Sequence, residues 1–256
     1  MITRRQFSLL SAGAAAASLA AGPSAQAAPR RRSAVRHVTL VHGAYADGSS
    51  WSKVVPLLQA AGLEVVAVQN PLTSLQDDVA ATNRALARQD GRTVLVAHSY
   101  GGTVISQVGL APNVAGLVYV AARAPEAGED FTALAARFPT PPVTHGIIRS
   151  GGFQWLNRQA FLHDFANGVP EPEALGLYAV QGALSTAPPT TSVAAWQHKP
   201  SWYAVSKKDR TIDPGLERFM AGRMHAHTTE VDAGHLSLVS HPADIARLIL
   251  GAARSC

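Results

Sequence analysis

Three side chains far apart in the chain have the types that acyl transfer needs. Ser99 lies in "LVAHSYGG" (95–102), after an apolar run and before a glycine pair. Two positions either side of it stand Ala97 and Gly101, both small. A serine raised on a tight strand-to-helix turn requires such neighbours, because backbone passes close to it there. Ala97 replaces the first glycine of the G-x-S-x-G pattern, where only bulk is excluded. A serine hydroxyl is a poor nucleophile until a base takes its proton, and the base needs a partner that fixes its tautomer. Downstream, "SWYAVSKKDRTIDP" holds Asp209 and "VDAGHLSL" holds His235, in the order serine, acid, histidine. Asp213 and Asp232 compete for the acid's place. Asp213 precedes Pro214, where a helix N-cap accounts for it. Asp232 is only three residues before His235, an awkward reach to the far side of the ring. His42 and His98 read as structural hydrogen-bonders. His225 and His227 alternate as on one strand face but lack a third ligand at a metal-binding spacing, so no metal or other cofactor is expected.

Such groups work together only if the fold brings them to one place. From residue 35 the apolar pattern alternates. "VRHVTLV" (35–41), "EVVAVQ" (64–69), "TVLVAH" (93–98) and "VAGLVYVAA" (114–122) read as buried strands. Helical stretches at 51–61, 75–89 and 100–110 separate them, and Asp77 and Asp78 favour the dipole in the first turn of the second. Strict alternation predicts βαβ units: an α/β fold with a mostly parallel sheet and helices on both faces. On such a sheet ligands sit beyond the carboxyl ends of the strands, which is where Ser99 falls. The pattern breaks at Pro125. Residues 124–198 are rich in proline, glycine and scattered aromatics, and a small helical lid insertion is expected there. Alternation resumes with strand 201–206, helix 214–224, a strand near 226–231 and a last helix over 242–253.

With 256 residues, 47% hydrophobic and 15% charged, the chain is large and apolar enough for one full core. Residues 1–27 differ in kind. Arg4-Arg5, an Ala/Leu-rich run and Ala25-Gln26-Ala27 form a secretory leader of the twin-arginine type, so a secreted or periplasmic protein is expected. Once the leader is cleaved, no stable membrane anchor remains. Much of the formal charge of +5 sits in Arg30, Arg31, Arg32 and Arg36, within or next to a basic tail over 28–34 that precedes the domain at 35–256. No basic stripe interleaved with aromatics follows, so nucleic acid is not an expected partner. Cys256 is the one cysteine, which fits a fold without an intramolecular disulfide. Nothing in the sequence sets an oligomeric state.

"LVHGAYADGSSW", "LVAHSYGG", "SKKDRTIDP" and "DAGHLSL" resemble the α/β-hydrolase superfamily, over nearly all of the chain after the leader. Within it the likeness is to compact bacterial esterase-like members and the plant methylesterase and hydroxynitrile lyase group. The resemblance implies Ser99 as nucleophile, Asp209 as acid and His235 as base. It also implies oxyanion donors at the backbone N–H of Tyr100 and of Ala44 or Tyr45; such donors supply about 3–4 kcal/mol each. Serine at the elbow argues against dehalogenase and epoxide hydrolase chemistry, which use aspartate there. Leu236 stands where the lyases carry lysine, which argues against cyanohydrin cleavage. The expectation is an acyl-enzyme hydrolase of small apolar or aromatic carboxylic esters, with Phe131, Phe153, Trp155, Phe161 and Trp196 as pocket walls. Lactonase or perhydrolase activity on the same three residues is the enzymatic rival. A ligand-binding protein of this fold is the rival from another class, and ester turnover compared with Ser99→Ala separates the two.

Overall fold

The structure, a computed structural model, describes residues 34–256. The leader over 1–27 and the tail's Arg30, Arg31 and Arg32 lie outside the described residues. The β-branched run after Ala34 forms β1 (His37–Val41), buried along its whole length. The helix expected over 51–61 is split. A 3-10 turn over Gly48–Trp51 comes first, capped by the Asp47 side chain on the Ser49 amide, and α1 (Val55–Ala60) follows. Pro56 explains the break: it has no amide to donate and fits only a first turn. Next come β2 (Glu64–Ala67), α2 (Leu75–Ala87), β3 (Thr93–His98), α3 (Gly101–Val108) and β4 (Val114–Val120), close to their expected bounds.

The insertion holds helices and also a sheet that the sequence pattern had not revealed. Helix α4 (Phe131–Ala135) precedes strands β5 (Ile147–Ser150) and β6 (Phe153–Leu156). Those two pair antiparallel through Gly151 and Gly152, whose φ values of 57° and 81° are what a two-residue hairpin demands. Helix α5 (Arg158–Ala160) continues as a wide π turn over Phe161–Phe165, and α6 (Glu171–Ala179) follows. The short strand β7 (Leu184–Ser185) then completes the small sheet, in the order β5-β6-β7. After it come β8 (Ser201–Ser206), α7 (Pro214–Arg223), β9 (His227–Val231), α8 (Ser237–Ser240) and α9 (Pro242–Ser255).

The main sheet has the order β2-β1-β3-β4-β8-β9, and every pairing is parallel. The chain steps from β1 to β2 in one direction and from β2 back past β1 to β3 in the other. Right-handed crossovers therefore put α1 and α2 on opposite faces. Consistently, α1 packs with α9 and α2 with α3. The inner strands β3 and β8 are buried at every position, whereas β9 at one edge is mostly exposed. The strand order reverses between β1 and β3, so the loops after them diverge and leave a crevice, the usual ligand position in such sheets. His42 to Tyr45 follow one strand and Ser99 the other.

Close contact at this crevice depends on glycine. A Cβ on Gly102 would land on the Arg123 carbonyl oxygen and 3.0 Å from the Ala122 side chain. Gly222 in α7 would meet nothing. Chemical denaturation should therefore show Gly102→Ala destabilised by at least about 2 kcal/mol. Gly222→Ala should be stabilised by about 0.5–1 kcal/mol through helix propensity.

Candidate active site

Ser99 stands on the bend between β3 and α3 with φ at 52°, a left-handed conformation that a residue with a Cβ adopts only under constraint. Three hydrogen bonds supply the constraint. Its amide donates to the Val120 carbonyl (3.2 Å), and its carbonyl accepts from the Gly102 and Arg123 amides (3.0 Å each). Gly43 lies against the bend, where a Cβ would come within 2.7 Å of the Ser99 Cβ. Ser99 is only 6% exposed, at the floor of a cavity of about 200 Å³ whose walls include Phe131, Val143, Ile147 and Phe165. Ala44 and Tyr45 line the same cavity. Among the described residues, the amides of Ala44, Tyr45 and Tyr100 donate to no protein acceptor.

Asp209 follows β8 and His235 follows β9, and the two side chains meet in the interior. His235 Nδ1 lies 2.6 Å from Asp209 Oδ2, and both side chains are fully buried. The second carboxylate oxygen, Oδ1, accepts from the amides of Thr211 (2.6 Å) and Ile212 (2.9 Å). Asp209 is thus an acceptor throughout and holds the proton of His235 on Nδ1. His235 Nε2 is buried with no hydrogen-bond partner. Glu217 of α7 lies beside Asp209 and accepts from the Ser206 amide (3.0 Å). Burial first, and then the Asp209 charge, push the Glu217 carboxyl well above its ordinary range. Two carboxylates this close in the interior disfavour each other's ionised form, and Glu217 Oε1 has no hydrogen-bond partner.

The neighbouring histidines have fixed tautomers. His42 Nε2 accepts from the Asn70 amide (2.9 Å), which leaves Nδ1 to donate to the Gly43 carbonyl (2.8 Å). His98 Nε2 donates to the His235 carbonyl (3.1 Å) and ties the serine bend to the histidine loop. Asn167 in the insertion ties that loop again: its Nδ2 donates to the Lys208 carbonyl (2.9 Å), and its Oδ1 accepts from the His235 amide (3.4 Å).

A family model described as the alpha/beta hydrolase family matches residues 40–248. The chain belongs to that family. The carbendazim hydrolyzing esterase of Nocardioides sp. (strain SG-4G) is 25% identical over 242 residues, covering 81% of this chain and 95% of that relative. Among solved structures, a pyrethroid hydrolase from Sphingobium faniae JZ-2 matches with a TM-score of 0.71. It is 22% identical and covers 86% of this chain and 97% of its own. Polyneuridine aldehyde esterase matches with a TM-score of 0.74 at 17% identity, covering 85% of this chain and 98% of that one. At these identities the structures share the hydrolase fold.

The aromatic wall of this hydrolase differs from the expected one. Phe131 lines the cavity at Ser99, whereas Phe153, Trp155, Phe161 and Trp196 do not. The strand β6 alternates, so Gln154 faces the cavity and its neighbours Phe153 and Trp155 face away. Phe161 is core, packed on Phe165 (4.9 Å) and Tyr178 (5.4 Å). Trp196 is buried with its indole N–H on the Pro125 carbonyl (2.8 Å). Phe165 takes the expected role: it lines the cavity and lies 5.2 Å from the His235 ring. Asp213 caps α7 through the Gly215 and Leu216 amides, and Asp232 is exposed, bound to Lys208 (2.8 Å). His227 stacks on Trp202 (5.3 Å). Asp78, expected only to favour a dipole, is buried and accepts from the Tyr100 hydroxyl (2.8 Å) and the Leu72 amide (2.8 Å). Asn167, Glu217 and Arg123 also sit at the site, and no sequence motif assigned them a role there. Arg123 directly follows the fourth strand run, at a carboxyl end, and that position was its one visible signal.

Burial holds His42 and His98 below the ordinary imidazole value of 6.5. Below that pH the unfolded chain takes up protons that the fold refuses, so stability falls as pH drops. Urea midpoints should decline from pH 7.5 to 5.5, and His42→Gln should flatten the decline. Asn167→Ala should lower kcat by about tenfold with a smaller change in KM, because it loosens the loops that carry Asp209 and His235. Equal kcat in the two proteins would remove that role.

Proposed function

We propose that this hydrolase cleaves carboxylic esters through an acyl-enzyme on Ser99, with His235 as general base and Asp209 as the acid that orients it. The observation that carries the reading is the buried Asp209–His235 pair. Its remaining nitrogen, Nε2, has no partner, and the fold also holds Ser99 on a constrained bend. In this mechanism Nε2 takes the hydroxyl proton as Ser99 Oγ attacks the ester carbonyl. The developing oxyanion is met by the amides of Tyr100 and of Ala44 or Tyr45, which have no competing acceptor within the protein. Collapse expels the alcohol, which receives the proton from His235. Water then repeats the two steps on the acyl-enzyme and releases the acid. The apolar walls at Phe131, Ile147 and Phe165 favour a small apolar or aromatic group beside the carbonyl. The esterase at 25% identity supports the reaction class.

Turnover of short-chain p-nitrophenyl esters tests the assignment. Ser99→Ala should lose at least about 10³-fold in kcat, and Asp209→Asn about 10²–10⁴-fold. Asp232→Asn, at an exposed site, should stay within about threefold. A serine-directed phosphonate should label Ser99. Full activity in Ser99→Ala, or labelling at another residue, would sink the mechanism. A folded protein inert on every ester and lactone of a panel would favour the ligand-binding alternative.

A further inference from the structure

The Ser99 cavity has a neighbour of about 500 Å³, and Arg123 lines both. The Arg123 guanidinium is packed 4.6 Å from the Phe131 ring centroid and 5.9 Å from that of Tyr100. Its Nε is buried with no hydrogen-bond partner. No carboxylate among the described residues forms an ion pair with it. Two carboxylates do line these cavities, and both are engaged elsewhere as helix caps. Asp130 accepts from the amides of Thr132 (2.8 Å) and Ala133 (3.2 Å), and Asp213 from those of Gly215 (2.8 Å) and Leu216 (3.3 Å). Burial pushes the phenols of Tyr45 and Tyr100 up from the ordinary tyrosine value, so neither supplies a counter-charge. Arg223 shows the contrast: its side chain is only 12% exposed, and it holds both oxygens of Glu129 (2.8 and 2.7 Å).

The small sheet adds to this positive field. Arg149 of β5 and Gln154 of β6 are register partners, and both line the outer cavity. Gln154 and Arg123 reach the inner cavity as well. A guanidinium taken partly out of water without a counter-charge is unfavourable, and its planar fork matches a carboxylate through two parallel N–H···O bonds. Neutral ester groups cannot satisfy it in that way.

We propose that Arg123 is an anion-recognition site, and that the ester cleaved at Ser99 also carries a carboxylate, as in a half-ester of a dicarboxylic acid. This rests on the esterase reading of Ser99. The apolar inner cavity would take the ester end, with the carboxylate at the junction of the two cavities and Arg149 adding long-range attraction.

The test separates binding from turnover. Monobenzyl glutarate and its uncharged methyl benzyl counterpart are titrated into the Ser99→Ala protein by calorimetry. The half-ester should bind at least about tenfold more tightly than the neutral diester. Adding Arg123→Met should abolish that preference. Adding Arg123→Lys, which keeps the charge and loses the fork, should leave only part of it. Equal or weaker binding of the half-ester, or a preference that survives Arg123→Met, overturns the proposal. Wild-type turnover of the same pair reads the other question. No turnover beside Arg123-dependent binding sinks ester hydrolysis and leaves the anion site standing. Turnover of both compounds without a binding preference does the reverse.

Discussion

Ser99 carries a side chain in a backbone conformation that normally belongs to glycine, at a cost of about 1–3 kcal/mol. One local bond, from the Gly102 amide three residues on, is set against that cost. The bend persists because the Val120 carbonyl and the Gly102 and Arg123 amides hold it from three directions. The Val120 and Arg123 partners are in reach only because β3 and β4 pair in register up to His98 and Val120. The missing side chains matter as much as the bonds. A Cβ on Gly101 would come within 2.7 Å of the His42 carbonyl oxygen, and one on Gly43 as close to the Ser99 Cβ. The sheet, the helix packed on it and the loop after β1 thus close around one strained residue.

The electrostatics of the site follow a related economy. Asp209 is fully buried as an acceptor, with two amides and the His235 N–H turned toward it. Burial, and then the adjacent Asp209, push the Glu217 carboxyl well above its ordinary range. Arg123 sits on the opposite side of this balance, a cation that the protein leaves unanswered. Asp130 and Asp213 line the cavities as helix caps and Arg149 lines the outer one, but Arg123 is the cation at their junction with no carboxylate partner among the described residues.

The insertion reaches both the loops of Asp209 and His235 and the wall of the Ser99 cavity. Asn167 bridges the loops that carry Asp209 and His235, and Phe165 lies on the His235 ring. The hairpin of β5 and β6 brings Gln154 to the cavity wall. Changes in this segment therefore act on loop geometry and pocket shape together, while the core strands stay fixed by burial.

The parallel sheet, its alternating helices and the Ser99, Asp209 and His235 positions were legible in the residues. Each rests on a local signal: a continuous apolar run, a small-residue pattern about a serine, a loop position after a strand. The bounds of β3 and β8 follow directly from runs that end at His98 and Ser206. The hairpin was also written locally, as Gly151-Gly152 between two β-prone runs, but the surrounding prolines and glycines masked its period. What only the tertiary structure decided are relations between segments with no common pattern. The pairing of Asp209 with His235, the upward push on Glu217, the Asn167 bridge and the unpaired state of Arg123 depend on burial and distance. Alternation in β6 turned Phe153 and Trp155 away and Gln154 inward, and that choice of face was set by the neighbouring elements. Sequence determines which groups are available to a site. Packing determines which of them meet, and which are left for a ligand.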